Sequence, residues 1–208
     1  MSSVSAPDVM SSDAVDWGCD THVHVIGDST QYPMVLDRHY TPGSASIADL
    51  QAHLAKQGLG RVVIVQPSVY GTDNHCLLNA LSALGSNAKG IAVLDDNITA
   101  SALQQLDVQG IRGVRLNFES SANHQIHDLQ AALHHWSSRI ASLGWHIQVY
   151  APFGMIAACA DTIRALPTPV VLDHFVLWPV TEFETTAERS ILELLTEGHV
   201  YIKLSASY

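Results

Sequence analysis

The 208-residue sequence predicts an α/β protein, a (β/α)8 TIM barrel truncated after the seventh strand. Two observations support this fold class. Short apolar segments rich in β-branched residues alternate strictly with longer segments of helical periodicity, which indicates a parallel sheet covered by helices. Polar side chains also recur at the C-terminal ends of the short segments, where TIM barrels carry their functional residues.

The predicted strands and helices follow one another in order along the chain. The strands cover 17–26, 61–66, 89–94, 111–118, 145–151, 169–175 and 200–206. The helices between them cover 46–57, 74–84, 99–107, 127–143, 152–166 and 184–197. Ser46 and Thr99 are suited to cap helix starts, and Gly58, Gly144 and Gly198 follow helix ends. Because a complete barrel has eight strands and about 250 residues, we expect an incomplete barrel over 17–208. Residues 1–16 are rich in Ser, Asp and Ala, and we expect them to form a flexible tail.

An open, doubly wound sheet is the competing architecture. Such a sheet would need a glycine-rich turn after its first strand, but that strand ends in His24-Val25-Ile26. The polar residues at the predicted strand ends favour the barrel, and they are His22, His24, Gln66, Ser68, Arg115, Asn117, Gln148, Tyr150, Asp173, His174, Lys203 and Ser205.

Composition narrows the classes of partner and compartment. Hydrophobic residues make up 47% of the chain and the formal net charge is −10, which fits a globular protein and argues against a nucleic-acid partner. The three cysteines form no CxxC pattern, and residues 1–16 lack the basic start and apolar run of a signal peptide. No stretch has the length and apolar character of a membrane span. We therefore expect a cytoplasmic protein with no membrane partner, and these patterns do not predict its oligomeric state.

The strongest functional signal is the pair His22 and His24 on the first strand. Residues two apart on a strand point to the same face, so both imidazoles are expected at the strand's mouth, with Asp20 on the same face. A parallel strand is buried on both sides, and polar side chains there are either hydrogen-bonded core residues or part of a site. The recurrence of a histidine, His174, on the sixth strand favours a metal or substrate site.

The segment Asp20-Thr21-His22-Val23-His24 resembles the first-strand motif of the amidohydrolase superfamily. Over about 16–208 the chain is similar to the amidohydrolase-2 family, in particular to hydrolases of the 2-pyrone-4,6-dicarboxylate lactonase type. The other similar segments are RHYTP (38–42), VVIVQPSVYGTDN (62–74), GIRGVRLNF (110–118), LGWHIQVY (143–150), VVLDHF (170–175) and YIKLSASY (201–208).

This resemblance implies roles for residues at matching positions. The catalytic histidines match His22, His24 and His174, which would surround a scissile lactone carbonyl. Substrate-binding residues match Ser68, Arg115 and Tyr150, with Arg115 binding a substrate carboxylate. Imidazoles can polarise a carbonyl, and a guanidinium can bind a carboxylate through two hydrogen bonds. Taken singly, the same three residues could be a turn serine, a barrel ion pair and a packed aromatic ring.

The resemblance implies a site without a cofactor. Metal-using relatives supply a carbamylated lysine on the fourth strand or a histidine near the end of the fifth. Here the fourth strand ends in Arg115-Leu116-Asn117, and Gln148 and Tyr150 stand at the end of the fifth. Zn²⁺ is the alternative, bound by His22 and His24 together with the sixth-strand histidine.

Two departures from the family pattern limit what the resemblance implies. Val176 and Leu177 stand where the lactonase branch usually has Gly-Arg, whose arginine helps bind a second carboxylate. The family's last strand carries a water-activating Asp in a Gly-(Ser/Thr)-Asp-Trp-Pro-His motif, which this sequence does not contain. Of the acids near the expected mouth, Asp173 neighbours His174 and is therefore expected to point to the opposite face and to orient structure.

The implied function is hydrolysis of a small carboxylated lactone by attack of water on the lactone carbonyl. Because the second arginine is missing, a substrate with one carboxylate or a sugar lactone fits better than a dicarboxylated pyrone. The alternatives are a zinc-dependent decarboxylase or hydrolase of the same family, and a truncated remnant without catalytic activity.

Overall fold

Seven parallel strands form one sheet in the order in which they occur along the chain. The computed structural model describes residues 18–119, 125–179 and 185–206, and the predicted tail over 1–16 lies outside these ranges. The strands are β1 (Cys19–Val23), β2 (Arg61–Val65), β3 (Ala88–Ala92), β4 (Ile111–Asn117), β5 (His146–Tyr150), β6 (Val170–Leu172) and β7 (Val200–Ile202). This succession of parallel strands and intervening helices confirms the predicted barrel fold.

The helices lie between the strands in the predicted order. They are α1 (Ile47–Gln57), α2 (His75–Leu84), α3 (Ala100–Val108), α4 (Ile126–Ile140), α5 (Phe153–Ala158), α6 (Ala160–Arg164) and α7 (Thr186–Thr196). Ser46 caps α1 as predicted, because its side chain accepts from the Asp49 N–H, and Gly58 ends that helix in the left-handed conformation. The single helix predicted over 152–166 is two helices, separated at Cys159. None of the helices in the described ranges combines the length and apolar character needed to cross a membrane.

Apolar side chains fill the layer between the sheet and its helices. Helix α4 buries Leu129, Leu133 and Ile140 on one face, at the spacing expected for an amphipathic helix. Trp145, just before β5, is fully buried, and its Nε1 donates to Asp107 Oδ1 at 2.7 Å. The helices thus pack against the outer face of the strands, and the polar side chains of the site lie on the inner face.

The interior is tightly packed where β4 and β5 lie side by side. Gly113 on β4 is paired with His146 on β5. A Cβ at Gly113 would lie 2.8 Å from the His146 carbonyl oxygen and 3.0 Å from its Nε2. Glycine at this position therefore leaves room for the neighbouring imidazole and backbone.

Candidate functional site

Three imidazoles lie together at the C-terminal ends of the strands: that of His22 on β1, that of His24 directly after β1, and that of His174 after β6. The ring of His22 lies 5.2 Å from that of His24 and 4.7 Å from that of His174, measured between centroids. Tyr150, the last residue of β5, contacts the His174 ring edge-on at a centroid distance of 5.2 Å. The structure thus brings the three predicted histidines and the predicted tyrosine into one cluster.

A β-bulge in β1 decides which of its residues face the interior. Asp20 pairs with Val62 and Val23 pairs with Ile64, so three steps along β1 match two along β2. The predicted common face of Asp20 and His22 is therefore wrong. Asp20 Oδ2 instead lies 3.5 Å from Nε2 of His53 on the outer helix α1.

The carboxylate of Asp173 lies inside the cluster, contrary to the prediction that it points to the opposite face. Its Oδ1 lies 3.4 Å from His22 Nδ1, and its side chain is fully buried. The prediction assumed strand alternation through His174, but β6 ends at Leu172. From His174 to Leu177 the chain has positive φ angles of 49° to 61°, a conformation that L-residues rarely adopt. This left-handed turn redirects His174 so that two consecutive residues reach the same site.

Asp173 also contacts the predicted substrate-binding arginine. Arg115 Nε lies 3.5 Å from Asp173 Oδ2, and only 5% of the Arg115 side chain is exposed. Arg115 Nη1 donates to the Gln66 carbonyl at 3.4 Å, and its Cζ lies 5.5 Å from the centre of the Tyr150 ring. Gln148, on the strand between β4 and β6, donates through Nε2 to Asp173 Oδ2 at 3.1 Å.

Lys203 is a member of the site that reasoning from the sequence did not assign. It follows β7, and its Nζ donates to the Thr21 carbonyl and to Gln148 Oε1, both at 2.8 Å. The contact with Thr21 joins the two edges of the sheet across the barrel interior. The sequence indicates Lys203 only as one of the polar residues at predicted strand ends, and no motif predicts a role for it.

Ser68 and Ser205 occupy different places relative to the cluster. Ser68 opens a short 3₁₀ turn after β2, and within the described residues no hydrogen bond joins its hydroxyl to the histidines. Ser205 lies near the C-terminal end of the described chain, and its Oγ is 3.0 Å from His174 Nδ1. The structure therefore places Ser205 against the cluster through a direct contact, and Ser68 only at the mouth of β2.

Burial and neighbouring charges set the charge of His24, His174, Asp173 and Lys203. Loss of hydration lowers the pKa of His24 to about 4 and also lowers the pKa of His174. Burial acts to raise the pKa of Asp173, but His22 and the charges of Arg115 and Lys203 outweigh it and hold that pKa below its usual value. Burial lowers the pKa of Lys203 to about 8. At neutral pH the site thus has neutral His24 and His174, an ionised Asp173 and a mostly charged Lys203.

The polar groups that lack partners point to where a ligand would bind. Among the described residues, five buried side-chain atoms make no hydrogen bond, and three of them, His22 Nε2, Arg115 Nε and Asp173 Oδ1, belong to this cluster. Buried polar atoms are normally paired. A ligand with both hydrogen-bond acceptors and donors would satisfy these groups.

The side chains of the cluster offer atoms of the types that bind zinc, but the charges beside them oppose a cation. Ligand atoms of His22, Asp173 and His174 lie within 4.8 Å of one another, and imidazole nitrogen and carboxylate oxygen are common zinc ligands. The Asp173 carboxylate, however, already faces Arg115 at 3.5 Å, and Lys203 Nζ lies 3.5 Å from His22 Nδ1. Two cationic side chains beside the ligand atoms oppose a divalent cation. The residues therefore do not fit a zinc ion well.

The chain resembles known hydrolases in sequence and in structure. The amidohydrolase family model matches residues 19–208. A 2-pyrone-4,6-dicarboxylate hydrolase of Comamonas testosteroni is 38% identical over 74% of this chain and 50% of its own length. A 4-sulfomuconolactone hydrolase of Rhizobium radiobacter is 30% identical over 90% of this chain and 63% of its own length. The chain thus spans between half and two thirds of these curated relatives.

A solved structure with the same fold belongs to a protein from Acinetobacter baumannii. It is described as a probable 2-pyrone-4,6-dicarboxylic acid hydrolase with citric acid bound. It is 32% identical, superimposes with a TM-score of 0.78, and the match covers 91% of this chain and 70% of that one.

Proposed function

Since the chain belongs to the amidohydrolase family, we propose that it binds a carboxylated lactone and polarises the lactone carbonyl for hydrolysis. The observation that carries this proposal is the convergence of three imidazoles with one buried guanidinium, Arg115, at the same ends of the strands. The names of the relatives support the substrate class, because both are hydrolases of acidic substrates. The citric acid bound in the related structure supports the proposal that this barrel binds a carboxylate.

The residues divide into a carbonyl-facing group and a carboxylate-binding group. His22, His24 and His174 would surround the lactone carbonyl and stabilise the oxyanion that forms when water attacks it. Arg115 would bind the substrate carboxylate, with Tyr150 beside it as part of the wall. Ser68, at the mouth of β2, would contact the remaining substrate polar groups.

Asp173 is suited to hold this arrangement and not to accept the proton of the attacking water. A general base works best when its pKa is near the working pH. The pKa of Asp173 is below its usual value because of its cationic neighbours. In the family that the chain resembles, a carboxylate in the motif of the last strand removes the proton from water, and this sequence does not contain that motif. Turnover by the whole protein is therefore proposed separately from substrate binding and carbonyl polarisation.

A substrate with a single carboxylate fits this site best. Arg115 is the guanidinium that reaches the cluster among the described residues, and Lys203 is already bound to two acceptors. Val176 and Leu177 occupy the positions where the resemblance would place a second arginine. A dicarboxylate would leave one charge without a partner, at a cost of several kcal/mol when buried.

The zinc-dependent alternative is supported by the cluster of His22, Asp173 and His174. It is disfavoured by the charges of Arg115 and Lys203, and we propose that hydrolysis needs no metal. A remnant without catalytic activity is the third possibility, since binding residues alone would be retained in both an enzyme and a remnant.

The proposal is tested with a substrate panel and a binding assay. Purified protein is given a monocarboxylated lactone, its neutral methyl ester and 2-pyrone-4,6-dicarboxylate, and binding is measured by calorimetry in parallel with hydrolysis. We expect the monocarboxylated lactone to bind most tightly. Arg115→Gln should weaken its binding by about 2–5 kcal/mol, or roughly 30- to several-thousand-fold, and leave the ester unchanged.

The outcomes separate the three possibilities. Hydrolysis of the acid lactone without added metal supports the proposed enzyme. Binding without hydrolysis supports the binding part of the proposal alone, and hydrolysis only with zinc supports the alternative. Equal losses on acid and ester in Arg115→Gln would rule out a carboxylate-binding role for Arg115.

A further inference from the structure

Four consecutive residues after β6 have a left-handed backbone conformation. Their φ angles are 51° at His174, 53° at Phe175, 61° at Val176 and 49° at Leu177. None of the four is glycine, and Ala206 is the one further non-glycine residue with positive φ among the described residues. The conformation is unfavourable for L-residues, above all for a β-branched one such as Val176, and it normally occurs at single positions. The turn over 174–177 is therefore strained, and contacts with the rest of the protein must hold it.

Two backbone hydrogen bonds and one buried side chain hold the middle of the turn. The Phe175 N–H donates to the Lys203 carbonyl at 2.9 Å. The Val176 N–H donates to the Asp173 carbonyl, also at 2.9 Å, and the Val176 side chain is fully buried. Both hydrogen bonds depend on the shape of the turn, so the exchange of these two amide protons with solvent reports whether the turn is closed.

Trp178 attaches the end of the turn to helix α7. Its backbone N–H donates to the Phe175 carbonyl at 3.1 Å, and its indole Nε1 donates to Glu188 Oε1 at 3.3 Å. Its ring packs against that of Phe153 at the start of α5, with 5.1 Å between centroids. Glu188 is only 4% exposed, and its Oε2 accepts from the Thr185 N–H at 2.8 Å in the cap of α7. One buried carboxylate thus binds both the start of α7 and the residue that follows the turn.

We propose that Trp178 and Glu188 are positioning residues that hold the strained turn in the shape that the site needs. The site needs two consecutive side chains, those of Asp173 and His174, in the same interior. On a regular strand these neighbours would point to opposite faces of the sheet. Here Asp173 Oδ1 lies 3.4 Å from His22 Nδ1, and the His174 ring lies 4.7 Å from the His22 ring. Residues in such rare conformations cluster at functional sites, where the surrounding structure maintains them. That the site so formed acts on a lactone rests on the proposed function.

Hydrogen–deuterium exchange resolved by NMR tests the proposal without any substrate. Trp178→Phe removes the indole N–H and keeps an aromatic ring. Because a hydrogen bond to a buried carboxylate is then lost, the turn should open more often, and the Phe175 and Val176 amides should exchange about 10-fold faster or more.

A glycine in the turn distinguishes release of strain from loss of packing. Leu177 is only partly buried, and glycine adopts positive φ without steric cost. Leu177→Gly alone should therefore raise Tm by about 2–4 °C. Combined with Trp178→Phe, it should slow the exchange of the two turn amides again, by about 5–30-fold. Trp136→Phe on α4 is the matched control for loss of a buried tryptophan and should leave the exchange of these amides unchanged.

Each result supports or opposes the proposal. Unchanged exchange in Trp178→Phe would show that Trp178 does not hold the turn. Faster exchange that Leu177→Gly does not reverse would show that strain does not drive the opening. If Trp178→Phe does not fold, Leu177→Gly in the wild-type chain still decides the matter, since a lower Tm would contradict a strained turn.

The same variants connect the turn to catalysis. If the proposed hydrolysis is observed, Trp178→Phe should lower kcat by up to about 100-fold with little change in KM, because the reacting groups are displaced. Leu177→Gly in the same chain should restore kcat, which a purely structural role of Trp178 would not predict. A wild-type protein that hydrolyses no lactone would count against the proposed function, and the exchange measurements would still decide whether the turn is held as proposed.

Discussion

Arg115 and Asp173 lie side by side in the barrel interior, with 3.5 Å between Nε and Oδ2. Arg115 lies on β4 and Asp173 directly follows β6, and both side chains are almost completely buried. Removing one partner of such a pair leaves an uncompensated buried charge. The carboxylate is also the acceptor for Gln148, so its charge stabilises polar groups from β4 and β5.

Asp173→Asn is therefore expected to destabilise the protein strongly. The loss should be about 3–5 kcal/mol, since Arg115 and Lys203 would face each other without the intervening negative charge. Urea denaturation followed by circular dichroism measures the change. Asp161→Asn is the control, because its carboxylate is 99% exposed and surface pairs contribute at most about 1 kcal/mol. Similar small losses in both variants would contradict this account of the interior.

The pH dependence of stability should include a contribution from His146. Burial lowers the pKa of its imidazole to about 4, from a usual value of 6.5. Because the unfolded state takes up a proton first, this stabilising contribution is complete above pH 6.5 and is lost as the pH falls towards 4. The free energy of unfolding should fall by about 1.4 kcal/mol per pH unit in that window.

His146→Gln removes this titration and should flatten that part of the curve. Denaturation midpoints at several pH values between neutral and mildly acidic measure the effect. His127→Gln, whose side chain is 77% exposed on α4, is the surface control for the loss of a histidine. An identical pH slope in wild type and His146→Gln would show that the imidazole is not held neutral.

Gly113→Ala should destabilise the sheet between β4 and β5. The new Cβ would lie 2.8 Å from the His146 carbonyl oxygen, an atom that cannot move without shifting the backbone. Overpacking of this kind costs about 1–3 kcal/mol. Gly43→Ala is the matched control because a Cβ there meets nothing within 4 Å. Thermal unfolding of the two variants gives the comparison, and equal Tm values would contradict the predicted clash.

Zinc should neither stabilise the protein nor restore any property removed by a chelator. The charges of Arg115 and Lys203 lie beside the atoms that would ligate it. We expect Tm to be unchanged after dialysis against a chelator and after addition of one equivalent of zinc. A rise in Tm of several degrees with zinc, together with a 1:1 complex in calorimetry, would instead support the cluster of His22, Asp173 and His174 as a metal site.

The order of strands and helices follows from local patterns in the sequence. Apolar periodicity and capping residues such as Ser46 act over a few positions, so the barrel architecture can be predicted without knowing any long-range contact. The same holds for the pair His22 and His24, whose spacing predicts a common face on a regular strand. Helix boundaries were less accurate, as the break at Cys159 shows.

The sequence by itself determined the barrel order, the three histidines and the candidate arginine, because these depend on spacing and residue type. Only the tertiary structure decided that the Asp173 side chain lies in the site and that the Asp20 side chain lies outside it. A left-handed turn after β6 and a bulge in β1 interrupt the alternation of side chains between the two faces of the sheet. It also decided the position of Lys203, which reaches Thr21 from the opposite edge of the sheet. Contacts of this kind depend on how the sheet curls, and the curl is set by packing between elements far apart in the chain.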